Sequence, residues 1–196
     1  LQKFINAQLI NAGDGTHEHP TQAILDMMSI QEKFGKIKDL NIAIIGDIYH
    51  SRVARSNIYG LVTMGAYVTV CGPPNLVPKE ISDLGVNVNY NIDEVIEWAD
   101  AVNILRTQRE RMGIGLIPSS REYRKLFGVT YERMSRRHKE LVIMHPGPMN
   151  RGVEIDSEVA DSDQAIILEQ VLNGVASRMS ILYLLLGAKE EVENEN

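Results

Sequence analysis

The chain has 196 residues, enough for one large domain or two small ones, and its 44% hydrophobic and 23% charged content is ordinary for a globular protein. A formal net charge of −6 offers no basic surface for nucleic acid or an anionic membrane, and a single cysteine, Cys71, excludes an internal disulfide or a cysteine-rich zinc site. The longest apolar run, Ile181–Leu186, is too short to cross a bilayer, so we expect a cytoplasmic protein.

The chain begins with Leu1 and has strand-like sequence over Ile5–Ile10, so we expect that residues upstream are missing. A polar loop follows over Asn11–Gln22, with two glycines, an aspartate, two histidines and a proline. A helix is predicted over Pro20–Phe34, because proline suits a first helical turn and Gly35 is a typical stop signal.

Short apolar runs then alternate with helical segments. Further strands are predicted at Leu40–Gly46, Tyr67–Gly72, Val86–Tyr90, Ala101–Leu105 and Leu141–Met144. Helices are predicted at Arg52–Met64, Lys79–Leu84, Ile92–Trp98, Tyr123–Phe127 and Tyr131–His138, with a loop at Met112–Ser120 and Ser51 as a helix cap. This alternation predicts an α/β protein with an open parallel sheet flanked by helices.

A long C-terminal helix is predicted over Asp163–Leu186, with Ser162 as its cap and Gly187 as its stop. Its apolar residues occupy more than one face, and such a helix requires burial nearly all round. We therefore expect missing sequence or another chain to cover the side that the α/β core leaves open.

Two arginines follow predicted strands, Arg52 at the start of a helix and Arg106 at a strand end. Open parallel sheets bind ligands beyond the carboxyl ends of their strands, and guanidinium groups bind carboxylates bidentately. The pair therefore indicates a substrate with two carboxylates. The alternative is that each arginine makes an ordinary surface salt bridge.

The polar loop and a second loop, HPGPMNRG at His145–Gly152, supply other candidate ligand contacts. His19 lies at the mouth of the first helix and Gln22 about one turn in, so an imidazole and an amide could both contact a carbonyl group. The Gly147 carbonyl and the turn at Pro148 could present fixed backbone acceptors. The alternatives are a plain helix start and a plain surface turn.

Other chemistries find less support. The segment after the first core strand, from Gly46, lacks the GxGxxG spacing of a dinucleotide site. His17 and His19 have no third ligand at metal spacing, so no metal site is predicted. The chain has no GxSxG motif and no cysteine–histidine pairing suited to covalent catalysis.

The ordered motifs GDG…HPTQ, SRV, RTQRER and HPGPMNRG resemble those of the aspartate transcarbamoylase catalytic chains. The resemblance extends from about Asn11 through the last helix. Ornithine transcarbamoylases typically carry a cysteine in both the HPTQ-like and HPGP-like motifs, and this chain has none there. The resemblance implies transfer of a carbamoyl group from carbamoyl phosphate to L-aspartate in pyrimidine synthesis, with no cofactor or metal.

The resemblance also implies roles for individual residues. His19 and Gln22 would contact the carbamoyl oxygen and the carbamoyl NH2 group, and Gly147 and Pro148 would offer acceptors to that NH2. The aspartate carboxylates would be bound by three side chains, which are Arg52, Arg106 and Gln108. Catalysis would depend on positioning and on stabilising the oxyanion, with no covalent nucleophile.

The phosphate-binding residues of such enzymes lie upstream of HPTQ, so the 196 residues alone are expected to be inactive. The implied organisation is the end of a carbamoyl-phosphate domain (1–34), a Rossmann-like aspartate domain (35–160), a return helix (161–187) and an acidic tail (188–196). A homotrimer with shared sites and a regulatory or dihydroorotase partner are also implied. The alternatives are a non-catalytic assembly module and an unrelated α/β ligand-binding domain.

Overall fold

A computed structural model describes residues 4, 6–107 and 119–193 of the chain. A single five-stranded sheet, ordered β3-β2-β1-β4-β5, forms the centre of this part, and each neighbouring pair of strands is parallel. In chain order the strands are β1 (Asn41–Ile45), β2 (Tyr67–Cys71), β3 (Asn87–Val88), β4 (Ala101–Ile104) and β5 (Val142–Met144). The predicted open parallel α/β sheet is thus confirmed.

Helices connect and cover the strands. Within the described residues they are α1 (Pro20–Phe34), α2 (Arg52–Thr63), α3 (Ile92–Trp98), α4 (Ser120–Phe127), α5 (Tyr131–Ser135), α6 (Ser157–Ala160) and α7 (Ile167–Glu193), with 3-10 turns at Pro74–Leu76 and Lys79–Leu84. Ser51 caps α2 as predicted, because its hydroxyl accepts from the N–H of Ala54 at 3.1 Å.

Apolar layers lie on both faces of the sheet because strand side chains alternate between the two faces. Ile42 and Ile44 of β1 pack in one cluster with residues of α1 and α2. Ala43 and Ile45 pack in the opposite cluster with residues of α3 and α4. Cys71 is buried at the end of β2, and burial raises the pKa of its thiol to about 12, so the thiol is protonated near pH 7.

Helix α7 packs along α1 with an unusual distribution of polarity. Gln170, Asn173 and Ser177 are buried on its inner side, and Asn173 Nδ2 donates to Ser29 Oγ of α1 at 3.0 Å. Its outer side is apolar and exposed, and includes Leu168, Val171, Leu172, Val175, Met179, Leu182, Tyr183, Leu184 and Leu186. No described helix combines the length and apolar character needed to span a membrane.

The long helix begins and ends later than predicted. Gln164 O accepts from Ile143 N at 2.9 Å, and Ile166 N donates to Ile143 O at 2.9 Å, so this segment lies beside β5 and not in a helix. Ser162 is therefore not the helix cap, and its hydroxyl donates to Val159 O. Gly187 does not end the helix, which continues to Glu193, because one interior glycine costs only about 1 kcal/mol.

Other predicted elements also differ from the structure. Residues 6–10 contain no strand, and the predicted strand Val86–Tyr90 keeps only two paired residues. The predicted helix Tyr131–His138 ends at Ser135, and the short helix α6 was not predicted. Most of the predicted loop at Met112–Ser120 lies outside the described residues.

The cap at Ser51 leads to a test of stability. Replacing Ser51 with alanine should lower the free energy of unfolding by about 1 kcal/mol, because Ala54 N–H loses its side-chain acceptor. Urea denaturation followed by circular dichroism measures this loss. Ser51→Gly is the control and should cost only a few tenths of a kcal/mol, since glycine is tolerated at cap positions. Equal losses in the two variants would contradict the capping role.

Candidate functional site

The ends of β1 and β4 bring the two predicted arginines to one edge of the sheet. Leu105 N donates to Ile45 O at 2.8 Å, so the chain leaves the two strands side by side. Gly46 permits this approach, since it has φ +133° and a Cβ there would lie 3.0 Å from Leu105 Cβ. Arg106 is half-buried directly after β4, and Arg52 is half-buried in the first turn of α2.

The polar loop packs against Arg52. Gly13 adopts φ +117°, and a Cβ at this position would lie 2.9 Å from the guanidinium carbon of Arg52. The loop is shaped by its own hydrogen bonds, since Asn11 Oδ1 accepts from Gly13 N at 2.8 Å and Asp14 Oδ1 accepts from Glu18 N at 2.9 Å. The GDG segment therefore lies beside the start of α2.

His19 occupies the cap position of α1 as expected and is half-buried. Its N–H donates to Ser56 Oγ of α2 at 2.9 Å, which fixes the loop to α2. Burial lowers the pKa of His19 below its usual range, and the positive charges of Arg52 and Arg178 lower it further. The imidazole is therefore neutral near pH 7, and a neutral imidazole keeps one N–H that can donate to a carbonyl oxygen.

Gln22 and the HPGP loop line the same cavity, which has a volume of about 410 Å³. Gly147, His145 and Arg178 of α7 also line this cavity. Gly147 has φ +64° and precedes Pro148 through a cis peptide bond. The structure therefore brings together Gln22 and Gly147, two residues 125 positions apart that were predicted to contact the same group.

A buried histidine–glutamate pair holds the loop after β5 in place. His145 Nδ1 accepts from Gly147 N at 2.9 Å, and its Nε2 lies 3.4 Å from Glu154 Oε1. Burial acts to raise the pKa of Glu154, but hydrogen bonds from His145 and Asn150 outweigh it and lower the pKa. Since Asn150 N also donates to Glu154, both ends of the loop are tied to one carboxylate.

Asp26 was not predicted as a site residue and is fully buried. Its carboxylate accepts hydrogen bonds from four side-chain amides, one each on α1, α2, β4 and α7, which are Gln22, Asn57, Asn103 and Gln170. Burial raises the pKa of Asp26, while these hydrogen bonds oppose that shift. The feature of the sequence that could have pointed to Asp26 is a charged residue among the apolar positions of α1, one turn after Gln22.

Arg178 was also not singled out from the sequence. It lines the cavity, and its Nη1 donates to Gly174 O at 2.8 Å. Gln108 lies outside the described residues, so its assignment stays a prediction. Convergence of Arg52 and Arg106 on one crevice also stays a prediction. In the described ranges no three His, Cys, Asp or Glu side chains are grouped to bind a metal ion.

The parallel sheet, the helix mouth at His19 and the cavity beside the HPGP loop define an α/β protein with a candidate ligand site at its strand ends. Residues 38–185 match the family model described as the Asp/Orn binding domain of aspartate/ornithine carbamoyltransferases, and residues 1–32 match the model for their carbamoyl-P binding domain. The chain belongs to the aspartate/ornithine carbamoyltransferase family.

Individual relatives agree with this assignment. The chain is 59% identical over 195 residues to the aspartate carbamoyltransferase catalytic subunit of Carboxydothermus hydrogenoformans, covering 97% of this chain and 62% of the relative. Among solved structures, the catalytic subunit of M. jannaschii aspartate transcarbamoylase has a TM-score of 0.78 at 32% identity, covering 96% of this chain and 62% of the other. Ornithine carbamoyltransferase from Pyrococcus furiosus has a TM-score of 0.80 at 25% identity, covering 95% and 62%. The chain thus spans about three fifths of these relatives.

The charges near His19 lead to a second test. Replacing Arg178 with methionine should raise the pKa of His19, because a positive charge that disfavours the imidazolium is removed. Burial, the larger cause, remains, so the pKa should stay below 6.5. NMR titration of the imidazole resonance, assigned with a His19→Gln variant, measures this shift.

Arg136→Met is the matched control, because Arg136 directly follows α5 and pairs with Glu132. It should leave the pKa of His19 unchanged, and a pKa equally unmoved in Arg178→Met would contradict the electrostatic argument. Because the folded pKa is lowered, the unfolded chain binds the proton first as the pH falls below 6.5. The stability that a neutral His19 contributes is therefore present above that pH and is lost toward the folded pKa.

Proposed function

We propose that this chain provides the aspartate-binding part, and a portion of the carbamoyl-phosphate-binding part, of an aspartate carbamoyltransferase. The observation that carries the proposal is the cavity shared by Gln22 and the HPGP loop. The neutral His19 lies three residues before Gln22, and its pKa is lowered by burial and further by the charge of Arg178, which lines that cavity. An amide, a backbone carbonyl and a neutral imidazole match the NH2 and C=O groups of a carbamoyl ester. The relatives at 59% and 56% identity are both named aspartate carbamoyltransferase catalytic subunits.

In the proposed reaction the amino nitrogen of L-aspartate attacks the carbonyl carbon of carbamoyl phosphate. A new C–N bond forms, the C–O bond to phosphate breaks, and phosphate leaves with the electron pair while the amino nitrogen loses a proton. The products are N-carbamoyl-L-aspartate and phosphate. No covalent intermediate with the protein is needed.

The carbamoyl group would be bound between α1 and the HPGP loop. His19 would donate to the carbonyl oxygen, and its hydrogen bond would strengthen as negative charge develops there. Gln22 would accept from the carbamoyl NH2, together with the backbone acceptors at Gly147 and Pro148. Since a neutral imidazole retains one N–H, the lowered pKa of His19 is compatible with this role.

The two carboxylates of aspartate would be bound by arginines from neighbouring strand ends. Arg52 would bind the α-carboxylate, and Arg106 with Gln108 would bind the β-carboxylate. Bidentate guanidinium pairs fix orientation as well as charge, so they would aim the amino group at the carbonyl carbon. The adjacent exits of β1 and β4 support this arrangement.

The proposed whole protein would join this chain to the rest of a carbamoyl-phosphate-binding domain. The apolar outer side of α7 would pack on that domain, which would account for an amphipathic helix with its polar side buried. Residues 1–34 would end that domain, 35–160 would form the aspartate domain and 161–187 the return helix, followed by the tail at 188–196. We further propose a cytoplasmic homotrimer with shared sites and a possible regulatory or dihydroorotase partner.

The arginine roles can be tested in the whole protein. Arg106→Ala should weaken aspartate binding by about 2–5 kcal/mol and carbamoyl phosphate binding far less, because it removes a charge-assisted bidentate pair. The two KM values, from carbamoyl-aspartate formation, measure the effect. Arg121→Ala, on the exposed side of α4, is the control and should change neither value. Equal losses for both substrates would refute the assignment.

A polypeptide of only these 196 residues should not form carbamoyl-aspartate by itself. A phosphate dianion needs several converging donors, and the proposed ones belong to the missing part of the carbamoyl-phosphate domain. Adding that part, covalently or as a separate chain, should restore activity. Colorimetric detection of carbamoyl-aspartate, on material whose mass is verified, provides the measurement. Robust turnover by the 196 residues alone would mean that the phosphate site lies within them, and inactivity of the joined protein would favour a non-catalytic module.

A further inference from the structure

The carboxylate of Asp26 accepts hydrogen bonds from four side-chain NH2 groups. Gln22 Nε2 and Gln170 Nε2 donate to Oδ1 at 3.0 and 2.8 Å. Asn57 Nδ2 and Asn103 Nδ2 donate to Oδ2 at 2.8 and 3.1 Å. Because an ionised carboxylate can only accept, each of these amides must turn its NH2 group inward.

The two asparagines show that Asp26 sets these orientations. Asn57 Oδ1 and Asn103 Oδ1 are buried, and within the described part of the chain they have no hydrogen-bond partner. Reversing either amide would place its oxygen against the carboxylate, so two acceptors would face each other. The fold therefore keeps two buried carbonyl oxygens unpaired, and the carboxylate receives all four donors.

Gln170 shows what the amide oxygen does when the NH2 group of the same side chain is bound to Asp26. Its Nε2 is bound to Asp26 Oδ1, and its Oε1 accepts from His145 N at 2.9 Å, at the start of the HPGP loop. Gln22 is bound to the same oxygen of Asp26 and lines the same cavity as Gln170. An amide held by its NH2 group presents its oxygen to the other side, so Gln22 offers the cavity an acceptor.

We propose that Asp26 is a specificity-determining positioning residue, which holds the NH2 group of Gln22 so that Gln22 Oε1 selects a substrate with an N–H on its carbonyl carbon. The protein would thereby favour carbamoyl phosphate over acetyl phosphate, in which a methyl group replaces the NH2. This inference depends on the proposed carbamoyl transfer. Asp26 acts only through Gln22 and does not itself contact the substrate.

Comparing the two substrates tests this contact by itself, because the same bonds form and break in both reactions. In both reactions the amino nitrogen of aspartate forms a bond to the carbonyl carbon, and phosphate leaves with the electrons of the broken C–O bond. The group beside Gln22 differs, because NH2 donates to an oxygen and methyl does not. A site built for a donor rejects an analogue without one, since its own acceptor is then left unpaired.

The first test is Asp26→Asn in the whole protein. Asparagine offers one oxygen and one NH2 to four donors, so some amides must reverse or lose their bond. Gln170 is tied by His145 N, and Asn57 Nδ2 has a second bond to Val53 O at 3.2 Å, so Gln22 and Asn103 are the amides that remain able to reverse. The ratio of kcat/KM for carbamoyl phosphate to that for acetyl phosphate should fall about tenfold, the upper effect of one neutral hydrogen bond.

Both rates are followed as phosphate release that requires L-aspartate. Their ratio does not depend on the fraction of active protein, so partial misfolding does not change it. Gln22→Met removes the oxygen and should lower the ratio by a similar factor, and combining it with Asp26→Asn should lower the ratio no further. The charge swap Asp26→Asn with Asn103→Asp should restore the ratio to within about twofold, because the new carboxylate draws the new NH2 to its side.

Equal loss for both substrates in Asp26→Asn would overturn the inference, because it would give Asp26 a structural role alone. An unchanged ratio in Gln22→Met would also overturn it, even if Asp26→Asn did not fold. If the unmodified protein released no phosphate with L-aspartate from either substrate, the proposed function would be wrong. The two failures are therefore distinguishable.

Discussion

The buried carboxylate of Asp26 is the interaction on which the arrangement of the candidate site depends. A charge removed from water is costly unless it is fully hydrogen-bonded, and Asp26 obtains its four donors from four different elements. Those elements are α1, α2, β4 and α7, which carry or adjoin His19, Arg52, Arg106 and the HPGP loop. Moving any one of these elements would remove a hydrogen-bond donor from the buried carboxylate. Their relative positions are therefore coupled.

The parallel sheet supplies the second constraint. Because all five strands run the same way, the loops after β1, β4 and β5 emerge at one edge. Polar residues in those loops meet there although they are far apart in the chain. The α7 helix closes this edge with a polar inner side, since Gln170 connects Asp26 to the backbone of His145. Its apolar side is exposed.

Much of this architecture could be predicted from the sequence, because the relevant signals are local. Apolar runs of four or five residues that end in glycine marked β1 and β2, and Ser51 marked the start of α2. The predictions failed where tertiary contacts outweighed local preference. Residues 164–166 pair beside β5 although they look helical, and Gly187 lies inside α7, since one interior glycine costs only about 1 kcal/mol.

The sequence by itself determined the alternation of strands and helices, the motifs that carry the family resemblance and the residue types suited to a carbamoyl group. Only the tertiary structure decided which of these residues meet. It placed Gln22 beside Gly147, lowered the pKa of His19 by burial and by two arginines, and revealed Asp26 and Arg178 as parts of the same site. The physical reason is that hydrogen bonds and charges act through space. Asp26 and Gln170 are 144 positions apart in the sequence and 2.8 Å apart in the fold.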